Sequence, residues 1–461
     1  MCKRIHKMIY KGALILGVIT VSARAQTGAQ ALPLSAGVVQ EAGCTVFPAA
    51  TVFTSMEKEC HVLPVPDYMG IGRMEPQVSS ATKDTTTAEV KPGASAGATD
   101  TAACTAKLEG MLAGWLTASY SNKLNGQAGI RYIPGLSAGY KFGRSLMLDG
   151  EASVNTLASI TFWSDDSTGR ETRLKPYRLW VRFSGDRFEV RAGQQKINFG
   201  SAVMLRPLMW FDQIDPRDPL QLTDGVYALL ARYYFLDNTN IWLWGLYGNP
   251  GRKGWDLVPS DKKKMEYGGR IEVPVSTIGE VAITGHHRMA DYRGMKITDT
   301  RTGETSVSEN RIGLDGKFDL GPGLWFEGTL THQRVADYPY TRSINLGVDY
   351  TFSFGNGLHV MMEYLGYSMA DRIFSPSEKV NLAALSATYP FSIFASLNAI
   401  VFYDMDNSNL YNFINWSWQF DKWSIYLIGF WNPDRFSIYR NLEGTSLFAG
   451  KGIQLMFVYN H

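Results

Sequence analysis

The sequence predicts an all-β fold: an antiparallel transmembrane β-barrel of about 18 strands, with 16 as the alternative count, preceded by a flexible N-terminal region. Three observations carry this. Apolar and polar residues alternate with period two, as in RLWVRF at 178–183, MEYGGRIEVPV at 265–275 and NRIGLDGKF at 310–318, so each run has one apolar and one polar face. The connections alternate between short turns and long loops. After the first 25 residues no apolar stretch reaches the roughly 18 residues of a membrane helix, which leaves a water-soluble fold or a closed barrel, the other backbone that satisfies its own hydrogen bonds in lipid.

Taken in order, residues 1–25 read as a secretory signal: basic MCKRIHKMIYK, apolar ALILGVITVS, then Ala23 and Ala25 before Gln26. The alternative for that apolar run is a short buried helix. Residues 26–105 form a periplasmic N-terminal region, mostly linker; SSATKDTTTAEVKPGASAGATDTAAC at 79–104 has too little apolar area to offset its ordering entropy. Cys44, Cys60 and Cys104 are an odd count after cleavage. A Cys44–Cys60 bridge fits an exported protein, though sequence does not assign it, and the spacing around His61 matches no zinc pattern.

Residues 106–461 supply the barrel. Strands begin near 108, 130, 146, 174, 188, 226, 240, 264, 279, 309, 323, 342, 357, 380, 393, 410, 422 and 446, mostly 10–14 residues long. GRS, SGDR, DNTN, STIG, LGPG, FGNG, YPFS and FDK make one set of connections; the other set includes 164–173, 248–263, 291–308 and 432–446, with a short member near 122–127. Short turns at one end and long loops at the other are a membrane-barrel pattern. Trp242, Trp244, Tyr247, Trp416, Trp418, Trp423 and Tyr426 suit interfacial girdles. With the apolar face in lipid, the wall of the lumen carries Arg178, Arg182, Glu189, Arg191, Glu266, Arg270, Glu272, Arg288, Arg311, Asp315, Lys317 and Glu327, joined by Lys141, Asp149, Glu151, Asp349 and Glu363. The signs nearly balance, and ion pairing along the wall is compatible with a water path. The last five strands are poorer in charge, so their inner wall is either drier or faces another protomer.

One connection stands apart. GQQKINFGSAVMLRPLMWFDQIDPRDPLQLTDG spans 193–225, with Asp212, Asp215 and Asp218 at every third residue. The Asp-Pro pairs read as turn chemistry stiffened by Pro216 and Pro219. Calcium at this loop stays open as an alternative, although the spacing is not that of an EF-hand; no other metal or cofactor is expected. LMWF at 208–211 and Ile214 would be exposed on a solvated loop, which points to packing on the inner wall. His286 and His287 are neighbours, so one alone reaches the lumen, and no Ser/His/Asp set, zinc pair or phosphate-binding glycine motif accompanies them. No enzyme is expected.

The terminal KGIQLMFVYN at 451–460 resembles the signal read by the barrel-assembly machinery of outer membranes, although this chain ends Asn460-His461. The Gly-Gln-Gln strand followed by Asp-Pro-x-Asp-Pro resembles uncharacterised outer-membrane barrels of diderm bacteria. In architecture the region from about 106 resembles general and substrate-selective porins, whose third extracellular loop folds inward. That resemblance implies a porin of a Gram-negative outer membrane, a passive channel for ions or small polar solutes. Residues 200–225 would be the constriction loop, with Arg206, Asp212, Asp215, Arg217, Asp218 and Asp224 facing Arg178, Arg182, Arg191 and Arg270. Partners would be outer-membrane lipid, the assembly machinery, small polar solutes and other copies of the chain. Net charge +2 gives no reason to expect nucleic acid. The alternative is a barrel that conducts nothing and serves as adhesin, assembly partner or scaffold.

Overall fold

Each strand hydrogen-bonds to the one before and the one after it, and the last returns to the first. The computed structural model describes residues 104–143, 145–164, 167–375, 378–434 and 448–461. The expected signal segment, nearly all of the 26–105 region, Cys44 and Cys60 lie outside the described residues. In chain order the strands are β1 (Cys104–Ser121), β2 (Lys123–Phe142), β3 (Leu146–Phe162), β4 (Thr168–Ser184), β5 (Phe188–Gln195), β6 (Val226–Tyr234), β7 (Asn240–Leu246), β8 (Glu266–Val275) and β9 (Gly279–Asp291). The second half is β10 (Ser306–Asp319), β11 (Gly323–Gln333), β12 (Tyr340–Phe352), β13 (Leu358–Ala370), β14 (Glu378–Pro390), β15 (Ala395–Asp404), β16 (Asn409–Gln419), β17 (Trp423–Trp431) and β18 (Lys451–Asn460). All neighbours are antiparallel, and β18 closes on β1 with Met111 opposite Asn460 and Tyr120 opposite Lys451. Closure leaves no edge strand, so every ladder has a partner.

The period-two pattern decides which way each strand turns. Leu229, Leu243, Ile283, Ile312 and Leu346 are 52–60% exposed, whereas the neighbouring positions Leu230, Trp244, Thr284, Arg311 and Asn345 are 8% exposed or less. A surface that is apolar outside and charged inside is inverted relative to a water-soluble core, and it is the arrangement a bilayer requires. Connections after even-numbered strands are all short, such as 185–187, 276–278 and 320–322; those after odd-numbered strands include 196–225, 247–265, 292–305 and 432–450.

The strand count of 18 matches expectation, but several bounds do not. β1 to β4 run 18, 20, 17 and 17 residues instead of 10–14. Asn122 alone joins β1 to β2, at a φ of 58°. So tight a link keeps Ser121 opposite Lys123, and the ladder continues after the hydropathy alternation has faded. β5, by contrast, ends at Gln195 rather than 199, because Gly193 takes a φ of 119° and the two glutamines after it are both buried. A Cβ at Gly193 would stand 2.2 Å from the Leu179 carbonyl oxygen, so only glycine fits there.

The C-terminal departure also has a physical account. His461 extends the seam: its N–H donates to the Gly110 oxygen at 3.0 Å and its carbonyl accepts from the Gly110 N–H at 2.9 Å. Its ring stacks on Tyr132 and Tyr459, with centroids 5.9 and 6.0 Å away. The imidazole thus fills an aromatic position.

The exposed belt makes a direct prediction. Leu229→Arg, at the middle of β6, should cost about 2–4 kcal/mol of folding free energy in bilayers. Denaturant titration in lipid vesicles measures this, and an unchanged midpoint would place Leu229 away from the hydrocarbon.

Candidate functional site

The 196–225 segment leaves β5 and turns into the lumen. Gln195 fixes its exit, with the side-chain amide donating to the Arg191 and Ala228 carbonyls at 3.1 and 2.9 Å. Ile197, Phe199, Trp210 and Phe211 then pack on the near wall against Val226, Ala228 and Leu230 of β6 and Trp244 and Leu246 of β7. Phe199 stacks on Trp244 with centroids 5.6 Å apart. His286 faces inward beneath Phe211 and accepts at Nδ1 from Trp244 Nε1 at 3.2 Å, while its Nε2 lies 3.3 Å from Glu266. That position makes it a packing residue. His287 turns outward and meets Asn310 at 2.9 Å.

The segment crosses to the far wall, where two fully buried glutamates hold its backbone. Glu363 of β13 accepts the successive N–H groups of Val203, Met204 and Leu205 at 2.7, 3.0 and 2.6 Å, and Trp325 Nε1 at 3.1 Å. Glu327 of β11 accepts from Ala202 at 2.7 Å and Leu208 at 3.0 Å. Asn345 of β12 donates to the Leu205 carbonyl at 2.7 Å. Three consecutive N–H groups aimed at one carboxylate form a nest, a backbone concavity that solvates an anion in place of water. Gly200 permits the approach: at φ +99°, a Cβ there would lie 2.3 Å from Glu327 Oε1. Met204 and Leu205 bury themselves on Leu365, Leu382, Ile400, Phe402 and Phe413. The weakly charged inner face of the last strands is therefore, in part, the apolar seat of this segment.

The Asp repeat resolves into three turns. Asp212, Asp215 and Asp218 each accept the N–H two residues on, from Ile214, Arg217 and Leu220, at 3.3, 2.9 and 2.9 Å. The expected facing of loop acids and wall arginines is corrected by the pairing. Asp212 binds Arg206 of its own segment at 2.7 Å, and Asp215 binds Arg217 at 2.6 Å. Asp218 is driven by burial toward a higher pKa than an ordinary carboxyl. Asp224 reaches Lys175 at 2.6 Å. Arg178 donates to the Thr223 carbonyl at 3.1 Å. For Asp215 the Asx turn itself sets the carboxylate beside Arg217 two residues on, whereas Asp212 meets Arg206 from earlier in the segment and Asp224 meets a wall lysine.

The wall charges pair among themselves. Arg182 binds Asp149 through two bonds of 2.9 Å, and Glu189 gathers Arg182, Arg191 and Arg232 at 3.4, 3.8 and 2.9 Å. Arg270 bridges Asp315 at 2.6 Å and Glu272 at 2.9 Å. Arg288 and Arg311 share Glu309, each at 2.6 Å. Lys317 is exposed near the short-turn end. Among the described residues no cluster of three His, Cys, Asp or Glu is arranged to hold a metal.

Sequence reasoning missed the second inward segment, 247–265. Gly254 lies so close to Met209 that a Cβ would stand 1.5 Å from its carbonyl oxygen. Trp255 Nε1 donates to the Arg206 carbonyl at 2.7 Å, and Gly254 N–H to the Asp212 carbonyl at 3.1 Å. Lys253 binds Glu266 at 2.6 Å; burial lowers its pKa against the pull of that carboxylate. Asp256 binds Arg288 at 2.7 Å and Arg311 at 2.5 Å. The run RKGWD was the available signal: a Gly-Trp pair within a charged loop has little reason to be solvated.

If Glu363 anchors the segment, Glu363→Gln sets an amide N–H against the nest. In a cysteine-depleted background, thiol labelling at Met204→Cys should accelerate about tenfold or more, the equivalent of roughly 1.5–3 kcal/mol for bonds to a charged group. Equal labelling rates with and without the Glu363→Gln substitution would remove the anchor role.

No protein-family model and no curated protein matches the sequence. Among solved structures the chain is similar to OccAB1 of Acinetobacter baumannii, with TM-score 0.48, 8% identity, and 78% of this chain and 96% of that chain covered. It is similar also to the trimer form of OmpT, an outer membrane protein of Vibrio cholerae, with TM-score 0.45, 12% identity, and 78% and 99% covered. A third is the anion-selective porin from Comamonas acidovorans, with TM-score 0.42, 13% identity, and 78% and 100% covered. What this chain has in its own right, among the described residues, is a closed antiparallel barrel of 18 strands with short turns at one end and long loops at the other.

Proposed function

We propose that the protein is a passive diffusion channel of the outer membrane of a diderm bacterium, with the 196–225 segment narrowing its lumen. The observation that carries this is the docking of that segment across the inside of the barrel, from β6 and β7 to Glu327 and Glu363. A wall built from paired charges around a folded-in segment supports size-limited passage of ions or small polar solutes, with no covalent step. The roles of Arg206, Asp212, Asp215, Arg217, Asp218 and Asp224 in this reading are to shape the segment rather than to present a charged ring. Lipid faces the outer belt, β18 meets the assembly machinery, and self-association into an oligomer fits the same architecture.

The non-conducting reading has one observation in its favour. The segment also sets Leu220 against β1, β17 and β18 and Arg217 near the Phe413 ring at 5.2 Å, so it touches much of the wall. Planar-bilayer recording of the refolded protein separates the two: stepwise ohmic current is expected, and a verifiably folded barrel without current would end the channel reading. Deleting 206–220 should raise the single-channel conductance, since it removes Leu208 to Phe211 and Leu220 from the lumen. Unchanged conductance would place the segment off the conducting path.

A further inference from the structure

Near the long-loop end the two inward segments leave a cavity of about 530 Å³, bounded also by 292–305, 335–338 and the inner faces of β9 to β13. Its volume is in the range of small-molecule sites, about 300–1,000 Å³. The charges that line it cancel. Arg288, Arg311 and Lys296 oppose Asp256, Glu309 and Asp337. Four of the six form one buried cluster: Arg288 binds Asp256 at 2.7 Å and Glu309 at 2.6 Å, and Arg311 Nη2 lies 2.5 Å from each of the same two acids. Lys296 and Asp337 are exposed. A charged solute entering here meets counter-charges only at Lys296 and Asp337, which are exposed and solvated, and to find one deeper it would have to break the buried cluster and leave a charge uncompensated.

The uncharged lining has two kinds of surface. Thr329 lies opposite Ser343 and Thr331 opposite Thr341 across β11 and β12, a patch of four hydroxyls on one wall. Thr329 and Ser343 bond each other and Thr341 bonds Tyr367, so each of these three has capacity for one further bond, and no more than that is needed to meet a ligand hydroxyl. Each hydroxyl both donates and accepts. Gln333, Thr298 and Thr300 add polar groups, and most of the remaining lining is aromatic or aliphatic, as at Trp210, Trp255, Tyr367, Leu257, Val258 and Met209. Hydroxyls on one side and flat apolar surface on the others suit a molecule with hydroxyl edges and C–H faces.

Resting on the channel reading above, we infer that this cavity is a binding site for an uncharged polyhydroxylated solute, a mono- or disaccharide, on its way through the barrel. The hydroxyl patch takes the sugar's hydroxyls, and the Trp and Tyr rings take its C–H faces. The cluster at Asp256, Glu309, Arg288 and Arg311 disfavours charged analogues, because its four members are already satisfied by one another and the two remaining charges, Lys296 and Asp337, are solvated.

Current through the full-length protein in planar bilayers tests this, with maltose, a polyethylene glycol of matched size, glucuronate and glucosamine as probes. Maltose should block reversibly and saturably, at lower concentration than the other three. The Thr331→Val/Thr341→Val pair should raise the half-blocking maltose concentration about tenfold, as two lost hydrogen bonds of roughly 0.5–1.5 kcal/mol each require. The Thr331→Ser/Thr341→Ser pair should restore it. Equal block by the polymer, tighter block by either charged sugar, or an unmoved half-block in the valine pair would overturn the proposal while leaving the channel standing. Titration calorimetry of the same refolded chain with maltose covers the other failure. Saturable heat without current keeps the site and removes the channel, whereas neither heat nor block removes the site.

Discussion

The structure depends on one constraint: in hydrocarbon, a backbone N–H or C=O has only another backbone group to bond. Closure of β18 on β1 meets it, and closure then fixes everything else. With a period of two, each strand has one lipid face and one lumen face, so most of the charged side chains of the strands share the inside with one another. Leu229 and Leu230 are neighbours in sequence and lie on opposite sides of this boundary, one more than half exposed and the other sealed. Charge is gathered inward because the outside excludes it.

Such a crowded interior needs its charges matched, and the barrel matches them in two ways. Along β3 to β10 the wall pairs acid with base, as in Arg182 with Asp149 and Arg270 with Asp315. On β11 and β13 it does otherwise: Glu327 and Glu363 are solvated by main-chain N–H groups of a segment more than a hundred residues earlier in the chain. A buried carboxylate left with neither water nor partner would be severely unfavourable, so these two acids and the segment stabilise one another. The second inward segment repeats the device with opposite polarity, bringing Asp256 to two wall arginines. These two segments are thereby part of the interior rather than coverings of it.

The strands were legible because burial in a membrane barrel is written at period two and most strands carry the pattern, although it is weak in β15 and β17. The positions of the short turns were legible too. Strand length was not, since the β1–β2 ladder persists through SYSNKLN on hydrogen bonds alone, where the side chains no longer alternate. The inward turn of 196–225 could be read from LMWF, whose burial demands a surface. Its attachment could not. Glu363 looks like any other inward acid in the sequence, and the groups it binds are backbone N–H groups, which every residue but proline has. Gly200 was the one local hint, and a lone glycine in a loop has many explanations.

The Asp repeat shows why counting charges along a segment misleads about the field inside a barrel. Four acids and two arginines between 206 and 224 suggest a negative ring set against a positive wall. In the folded chain Asp212 and Asp215 lie against Arg206 and Arg217, and Arg182, Arg191 and Arg270 are engaged by wall carboxylates. An ion pair a few ångströms long presents only a dipole at the distance of the pore centre, and a dipole's field falls faster with distance than a charge's. Paired charges of this kind hold shape while contributing little net potential. On the proposed channel reading, such a lumen discriminates by its contours and by uncharged hydrogen-bonding groups, such as the hydroxyls of β11 and β12.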